Sequence, residues 1–289
     1  MNRRDFLRHG ARAAATLGVA GIPRELLAAS KRMHAHDRVP LGRTGLTVSR
    51  LAQGTGTQGF GGSSNQLRQL GVDGLADLLH AGYDAGLNLW DCADSYGSHA
   101  AAARALRHVK RQRVVLLTKT HATTEAEMTA DLDRFRRELD TDVIDIVLLH
   151  GVTDADWPAR KAGAMAALTA ARERGVVRAV GVSCHSLAAL KASAATPWVQ
   201  VQLARFNLLG THMDAPPEVV APILKEMRAA GRGVLGMKVL ALGDLRDRVD
   251  DALRHALDSD ALDAFTIGCE SRAELADLLK RIPAVSGRG

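Results

Sequence analysis

Leu87-Asn88-Leu89-Trp90, followed by Asp91-Cys92-Ala93-Asp94-Ser95-Tyr96-Gly97, joins a short apolar run to a polar turn carrying a carboxylate and a phenol five residues apart. The run predicts a buried strand, and the turn sets Asp91 and Tyr96 just past its carboxyl end. Both side chains can then reach one point above the strand. Two later runs end in the same way: residues 114–118 deliver Lys119, and residues 144–149 deliver His150.

Working outward, apolar runs predict core strands at residues 49–54, 87–90, 114–119, 144–150, 179–183, 199–205, 233–239 and 264–267, after a small hairpin at 41–48. Segments with helical spacing alternate with them, at 73–86, 99–109, 125–139, 159–174, 187–193, 219–230, 249–258 and 271–281. In the first helix Leu75, Leu78, Leu79 and Tyr83 mark one face, and Gly86 is a natural stop. The strands are near-continuous apolar runs, as expected of a parallel sheet covered on both faces. About eight strand–helix units over ~250 residues is the size of a closed barrel. The predicted fold is therefore α/β, a single-domain (β/α)8 TIM barrel. An open doubly wound sheet would carry Gly-x-Gly-x-x-Gly between its first strand and helix. Gln53-Gly54-Thr55-Gly56-Thr57-Gln58-Gly59 is Gly-rich but wrongly spaced for that.

The 289 residues are 46% hydrophobic, enough for one large core. The formal net charge of +6 is unevenly placed: residues 1–38 hold eight Lys+Arg against three Asp+Glu, a net of +5 that leaves +1 for the remainder. A body so close to neutral does not support a nucleic-acid footprint. Cys92, Cys184 and Cys269 have no metal-like spacing, and no metal site is expected. Each follows a predicted strand and reads as a small buried side chain near one rim.

Asn2-Arg3-Arg4-Asp5-Phe6-Leu7-Arg8 sets paired arginines before an aromatic, a Leu and a basic residue, and a mildly apolar stretch follows at 13–22. That stretch is shorter than the ~20 apolar residues needed to span a bilayer, so stable membrane insertion is not expected. Ala28-Ala29-Ser30 offers small residues for cleavage. The segment resembles a twin-arginine export signal, which implies engagement with the twin-arginine export machinery and a periplasmic or otherwise exported location. A basic tail that stays attached is the alternative. The expected organisation is a signal peptide at 1–30, a linker at 31–38, the barrel at 39–283 and a short tail at 284–289.

In a barrel the carboxyl ends of the strands share one face, so Asp91, Tyr96, Lys119 and His150 become one cluster. An acid, a phenol, an amine and an imidazole so placed resemble the catalytic tetrad of the aldo-keto reductases, and the resemblance implies carbonyl reduction, which requires a proton for the developing alkoxide as well as a hydride. A free tyrosine, with pKa ~10, is a weak acid at neutral pH. A cationic Lys119 beside it would lower that value, and Asp91 would hold the ammonium. His150 would donate to the substrate oxygen. Asp94, in the same turn, reads as a cap. Asp-x-Ala-x-x-Tyr-Gly, then Leu-x-Lys, then Asp-x-x-Leu-Leu-His, with the opening Leu41-Gly42-Arg43-Thr44-Gly45-Leu46, resemble the aldo-keto reductases across residues 39–282. The resemblance implies hydride transfer between a nicotinamide cofactor and a small aldehyde, ketone or sugar-like carbonyl compound, with Tyr96 as general acid. A nicotinamide-binding sensory barrel with little turnover is the alternative.

The resemblance further implies NADP(H), with NAD(H) as the alternative, lying extended across the rim. Thr55 and Gly56 follow the first strand. Ser183 matches the residue that holds the nicotinamide amide, although Cys184-His185 follows where the family carries Asn. Gln202 stands for the sixth-strand amide, with Gln200 as its alternative. Met237 replaces a stacking aromatic, and Lys238 can meet the pyrophosphate. Gly268, Ser271 and Arg272 flank a helix N-terminus suited to phosphate. Glu270 stands near the position where NADP-specific members carry Lys, and a carboxylate there repels a 2′-phosphate or accepts ribose hydroxyls. Trp157 is the candidate substrate wall. The brief segment 151–157, the little chain beyond 282 and an aromatic content of 3% lead us to expect an open site.

Overall fold

The computed structural model describes residues 32–286. Eight parallel strands close on themselves: β3 (Leu51–Gly54), β4 (Leu89–Asp91), β5 (Val115–Thr120), β6 (Ile144–Val152), β7 (Val177–Cys184), β8 (Val201–Arg205), β9 (Gly233–Met237) and β10 (Ala264–Ile267). β10 pairs with both β9 and β3, which completes the ring. Ahead of them an antiparallel hairpin, β1 (Arg38–Pro40) and β2 (Thr47–Ser49), pairs Val39 with Val48. Its Leu41, Leu46 and Val48 join the cluster that fills the barrel and so plug its amino end. Gly42, at φ +49°, lets the hairpin turn seat there; a Cβ at this position would stand 2.3 Å from the backbone N of Gly233.

The helices are α1 (Asn65–Asp84), α2 (His99–Leu106), α3 (Glu125–Glu138), α4 (Trp157–Arg160), α5 (Ala162–Glu173), α6 (Leu187–Ala195), α7 (Pro217–Ala229), α8 (Val249–Asp258) and α9 (Arg272–Val285). Leu116, Val147, Leu149, Val180, Val182, Ala204 and Val234 pack in the shell they form with the strands. Leu89, Leu117, Ile146, Leu148, Ala179, Val201, Leu203, Leu235 and Ala264 fill the interior. Successive strand residues face opposite sides, so the residue two beyond an interior one stands above it at the rim. Asp91 follows Leu89 in this way, Lys119 follows Leu117, His150 follows Leu148, Arg205 follows Leu203, Met237 follows Leu235 and Thr266 follows Ala264. The register pairs Asp91 with Leu117 and Lys119 with Leu148, which brings the ends of β4, β5 and β6 together.

Several elements differ in extent from expectation. α1 begins at Asn65 rather than 73, because Ser64 caps it by accepting from the Leu67 amide; Gly71, at φ +68°, then interrupts the helical backbone. That kink breaks the periodicity from which the longer helix would be read. The helix expected at 159–174 is two, α4 and α5. β9 stops at Met237 because Lys238 turns left-handed, at φ +57°. Residues expected to form a linker pack on the body: Ala35 is buried, and the Met33 amide donates to Ser286 Oγ at 2.9 Å. The packed body therefore begins before residue 39 and continues past 283. The segment 1–30, where a twin-arginine signal is expected, lies outside the described residues. Among the described residues no helix is long and apolar enough to cross a membrane. All three cysteines are free and buried, and burial pushes their thiols up, Cys92 to about 11 and Cys184 and Cys269 to about 12.

Candidate active site

Lys119 is fully buried at the end of β5. Its ammonium pairs with the Asp91 carboxylate and donates to the Cys92 carbonyl at 2.8 Å. Burial alone would weaken the hold of this amine on its proton. Asp91 and Tyr96 together outweigh burial, so the amine holds its proton more tightly than a free lysine. A buried pair of this kind is positioned as much as stabilised, since desolvation offsets much of the attraction.

Tyr96 ends a 3-10 turn spanning Asp94–Tyr96, and Lys119 Nζ lies 4.7 Å from the centre of its ring. The ring also rests on the loop after β3. A Cβ on Gly56 would lie 2.3 Å from the ring, and one on Gly59 would lie 2.5 Å from it. Burial raises the hydroxyl above the ordinary phenol range, and the nearby Lys119 charge opposes it without prevailing. This corrects the expectation of a phenol made more acidic: enclosure outweighs the ammonium, and the group stays protonated at neutral pH. Asp94 is a brace, bound by both terminal nitrogens of Arg134 on α3 at 2.7 and 2.9 Å.

His150 meets the Tyr96 ring edge-on at 5.6 Å between centroids. Burial, with Lys119, His121, His185 and Lys238 around it, holds its imidazole down at about 2, so it is neutral. Ser95 Oγ lies 3.4 Å from its Nδ1. A hydroxyl donating there leaves the ring proton on Nε2, free for a substrate oxygen. His121 stacks on His150 at 4.7 Å, and His185 approaches it edge-on at 6.4 Å. Among the described residues no group of three such side chains is arranged to hold a metal ion.

A cleft of about 360 Å³ opens beside Tyr96 and Asp91 and crosses from β4 over β3 and β10 to β9. Gly56, Met237, Lys238, Thr266, Gly268 and Glu270 line it. Its size lies within the range of ligand sites. Two hydroxyls at the barrel mouth, Ser183 Oγ and Thr266 Oγ1, are buried and have no hydrogen-bond partner among the described residues. Such groups cost ~1–3 kcal/mol each when left unmatched, and they suit the polar edge of a bound cofactor. The residues present therefore fit a nicotinamide dinucleotide. A wider depression of about 740 Å³, lined by Arg111, Arg137, Asp145 and Arg178, lies at the amino ends of β6 and β7, away from this rim. Its buried Asp145 is already satisfied by Arg111 at 2.8 Å and Arg178 at 2.7 Å.

Five expected site residues are engaged elsewhere. Thr55 is fully buried, its hydroxyl 2.9 Å from the Asp91 carbonyl and 2.8 Å from Ser98 Oγ, so it braces the turn from beneath. Gln202 points into the helix shell, where Ser193 donates to its Oε1 at 2.5 Å and its Nε2 donates to the Leu203 carbonyl at 3.0 Å. Val201 and Leu203 take the inner face of β8, so both Gln200 and Gln202 must take the outer one. Trp157 is buried beneath the rim and donates to the Ala189 carbonyl at 3.3 Å. Arg272 is exposed and directed at the Asp77 carbonyl, 3.4 Å away. Ser271 caps α9 by accepting from the Glu274 amide at 3.1 Å. Three rim residues were missed. His121 and Thr266 carry no motif, while Arg205, paired with Asp214, occupies the rim end of β8 where an amide was sought. Counting in twos from Leu203 and Ala264 would have found Arg205 and Thr266.

A closed (β/α)8 barrel whose strand ends gather a buried Lys–Asp pair, a tyrosine and a neutral histidine defines a rim built for proton and polar-group chemistry. The Aldo/keto reductase family model matches residues 54–287, and the chain belongs to that family of oxidoreductases, whose members generally use NAD(P)H and small carbonyl substrates. An aldo-keto reductase of Mycobacterium marinum is 34% identical over 128 residues, 39% of this chain and 43% of the relative. One of Mycobacterium avium is 34% identical over 131 residues, 39% and 42% of the two chains. The matched region thus spans less than half the length of these curated relatives. A structure from Pseudomonas aeruginosa assigned to the same family superposes with TM-score 0.71 at 24% identity, covering 88% of this chain and 97% of that one. The holo form of an aldo-keto reductase from Bacillus halodurans gives TM-score 0.70 at 20% identity, covering 86% and 91%. At these identities the likeness speaks for the fold alone.

Proposed function

We propose that the chain reduces a small aldehyde, ketone or sugar-like carbonyl compound with NAD(P)H, Tyr96 serving as proton donor. The observation that carries this reading is the buried Lys119 ammonium, held by Asp91 and set 4.7 Å from the Tyr96 ring centre. When bound, the nicotinamide supplies a hydride to the carbonyl carbon. The neutral His150 donates from Nε2 to the carbonyl oxygen and orients it. The Tyr96 hydroxyl gives its proton to that oxygen as negative charge develops there, and the phenolate left behind is stabilised by Lys119. Asp91 keeps the ammonium in place throughout. Around the mouth His121, His185, Lys238 and the Arg205–Asp214 pair make a polar rim, which favours oxygen-rich substrates over large apolar ones.

Mixing the purified protein with reduced nicotinamide dinucleotide and a panel of small aldehydes and ketones tests the reading, with loss of the reduced ring's absorbance as the signal. Nucleotide binding without oxidation by any carbonyl compound would favour a sensory barrel. Nothing in such a barrel calls for a buried ammonium beside a phenol.

Export through the twin-arginine route is part of the same proposal and is supported by Arg3-Arg4 and the apolar stretch after them. Arg3→Lys with Arg4→Lys should retain the protein in the cytoplasm. Unchanged export of that variant would remove the assignment.

A further inference from the structure

Lys119 and Tyr96 belong to different elements, β5 and the turn after β4, and a second route joins these elements behind the barrel wall. Thr118 and Thr120, the neighbours of Lys119 in β5, take the outer face of the strand. The Thr120 hydroxyl donates to Asp131 of α3. His99 of α2 bridges Thr118 to the same helix, its Nε2 2.7 Å from Thr118 Oγ1 and its Nδ1 2.7 Å from Glu138 Oε2. α3 is thus tied to the residues on both sides of Lys119.

Arg134 lies between those two carboxylates of α3. It donates to Asp131 at 2.7 Å and to Glu138 at 3.1 Å, and its guanidinium stands 4.7 Å from the Phe135 ring centre. So held, it meets Asp94, the first residue of the 3-10 turn that ends at Tyr96, with one nitrogen on each carboxylate oxygen at 2.7 and 2.9 Å. The two side chains are 37% and 36% exposed, and an isolated pair so placed would contribute little to stability. Its value is directional. Two parallel bonds from a planar fork fix orientation as well as distance, and Asp131 and Glu138 keep the fork aimed. Ser95 and Tyr96 follow Asp94 directly, so a shift of Asp94 moves the hydroxyl beside His150 and the proton donor together. Removing Arg134 would leave three carboxylates gathered about one place, and their repulsion would push Asp94 outward.

We infer that Arg134 is a positioning residue for carbonyl reduction, clamping the turn that carries Tyr96 against the strand that carries Lys119. The inference rests on the reductase reading, in which Tyr96 gives the proton and Lys119 stabilises the charge left behind. Arg134 acts through Asp94, not on the substrate.

Steady-state reduction by the full chain tests it, with NADH or NADPH and the most readily reduced compound of the panel above, alongside dinucleotide titration. Arg134→Met should lower kcat by about tenfold to 100-fold, the upper figure being the cost of a misplacement of ~1 Å. Dinucleotide affinity should stay within about twofold, because the loss falls on the reacting geometry and not on binding. Arg134→Lys keeps the charge without the fork and should recover only part of the rate. Glu138→Gln disturbs the same network while leaving Arg134 on Asp94, and should keep kcat within about twofold of the wild type. Asp94→Ala should match Arg134→Met, and the double variant should be no slower than either, since each opens the same contact. Wild-type kcat in Arg134→Met would overturn the inference and leave the reductase reading standing. So would losses that add in the double variant, or an equal loss in Glu138→Gln. Should Arg134→Met not fold, Asp94→Ala decides, and wild-type kcat there overturns the inference. A wild type that oxidises neither dinucleotide with any compound of the panel would overturn both.

Discussion

Lys119 Nζ stands 4.7 Å from the centre of the Tyr96 ring while Asp91 holds its charge. The two influences on the phenol oppose each other. Enclosure keeps the hydroxyl protonated, and the ammonium waits to stabilise the phenolate once the proton has left. A donor that is protonated at rest and relieved by a neighbouring cation after transfer is suited to carbonyl reduction.

The Lys119–Asp91 pair should behave as a unit in unfolding. Asp91→Asn or Lys119→Met alone leaves a buried charge without its partner, at a cost of about 3–5 kcal/mol. The double replacement should be destabilised by clearly less than the sum of the two. Denaturant unfolding of the four proteins measures this, and strict additivity would show that the pair is uncoupled.

The pH dependence has a definite sign. His150 at about 2 and His185 at about 4 remain neutral in the folded chain, whereas the unfolded chain takes up protons at both once pH falls below ~6.5. Their contribution is intact above ~6.5 and is lost as pH falls from there towards about 4 for His185 and about 2 for His150. His150→Asn should flatten the acid limb of the stability curve. The rate of reduction should stay level from neutral into mildly alkaline pH, because the raised Tyr96 hydroxyl keeps its proton there. A rate that declines between pH ~7 and ~8 would point to a different donor.

Gly56→Ala should separate catalysis from folding. The added methyl would stand 2.3 Å from the Tyr96 ring and displace it from its place beside Lys119 and His150. A displacement of ~1 Å at a reacting group costs about 100-fold in rate. Turnover should fall by that order while the melting temperature moves little. A fully active alanine variant would show that the ring has room to spare.

How much of this was legible follows from the strand ends. Asp91, Lys119 and His150 each close an apolar run, and the position just past a buried strand can be read without coordinates. Gln202 could be misplaced because its facing depends on Val201 and Leu203 filling the barrel, and a near-continuous apolar strand conceals which alternate residues face in. Trp157 was a large side chain beside a loop, and only packing reveals that it lies beneath the rim. The start of α1 was hidden by Gly71, since a left-handed residue inside a helix cancels the spacing on which a sequence reading depends.

Ser183 and Thr266 offer a test of the cofactor position that does not require turnover. Ser183→Ala and Thr266→Val remove buried hydroxyls that have no partner among the described residues, so each variant should be as stable as the wild type or more so. Dinucleotide affinity should fall several-fold if these hydroxyls meet the cofactor. Unchanged affinity in both variants would place the cofactor elsewhere on the rim.

The most direct test of the central claim pairs dinucleotide titration with steady-state carbonyl reduction for Tyr96→Phe. The ring, its contact with Gly56 and its place beside Lys119 all remain, and only the donated proton is gone. Binding close to that of the wild type, with turnover reduced by at least about 100-fold, is the predicted result. A phenylalanine variant that reduces carbonyl compounds at the wild-type rate would contradict the account.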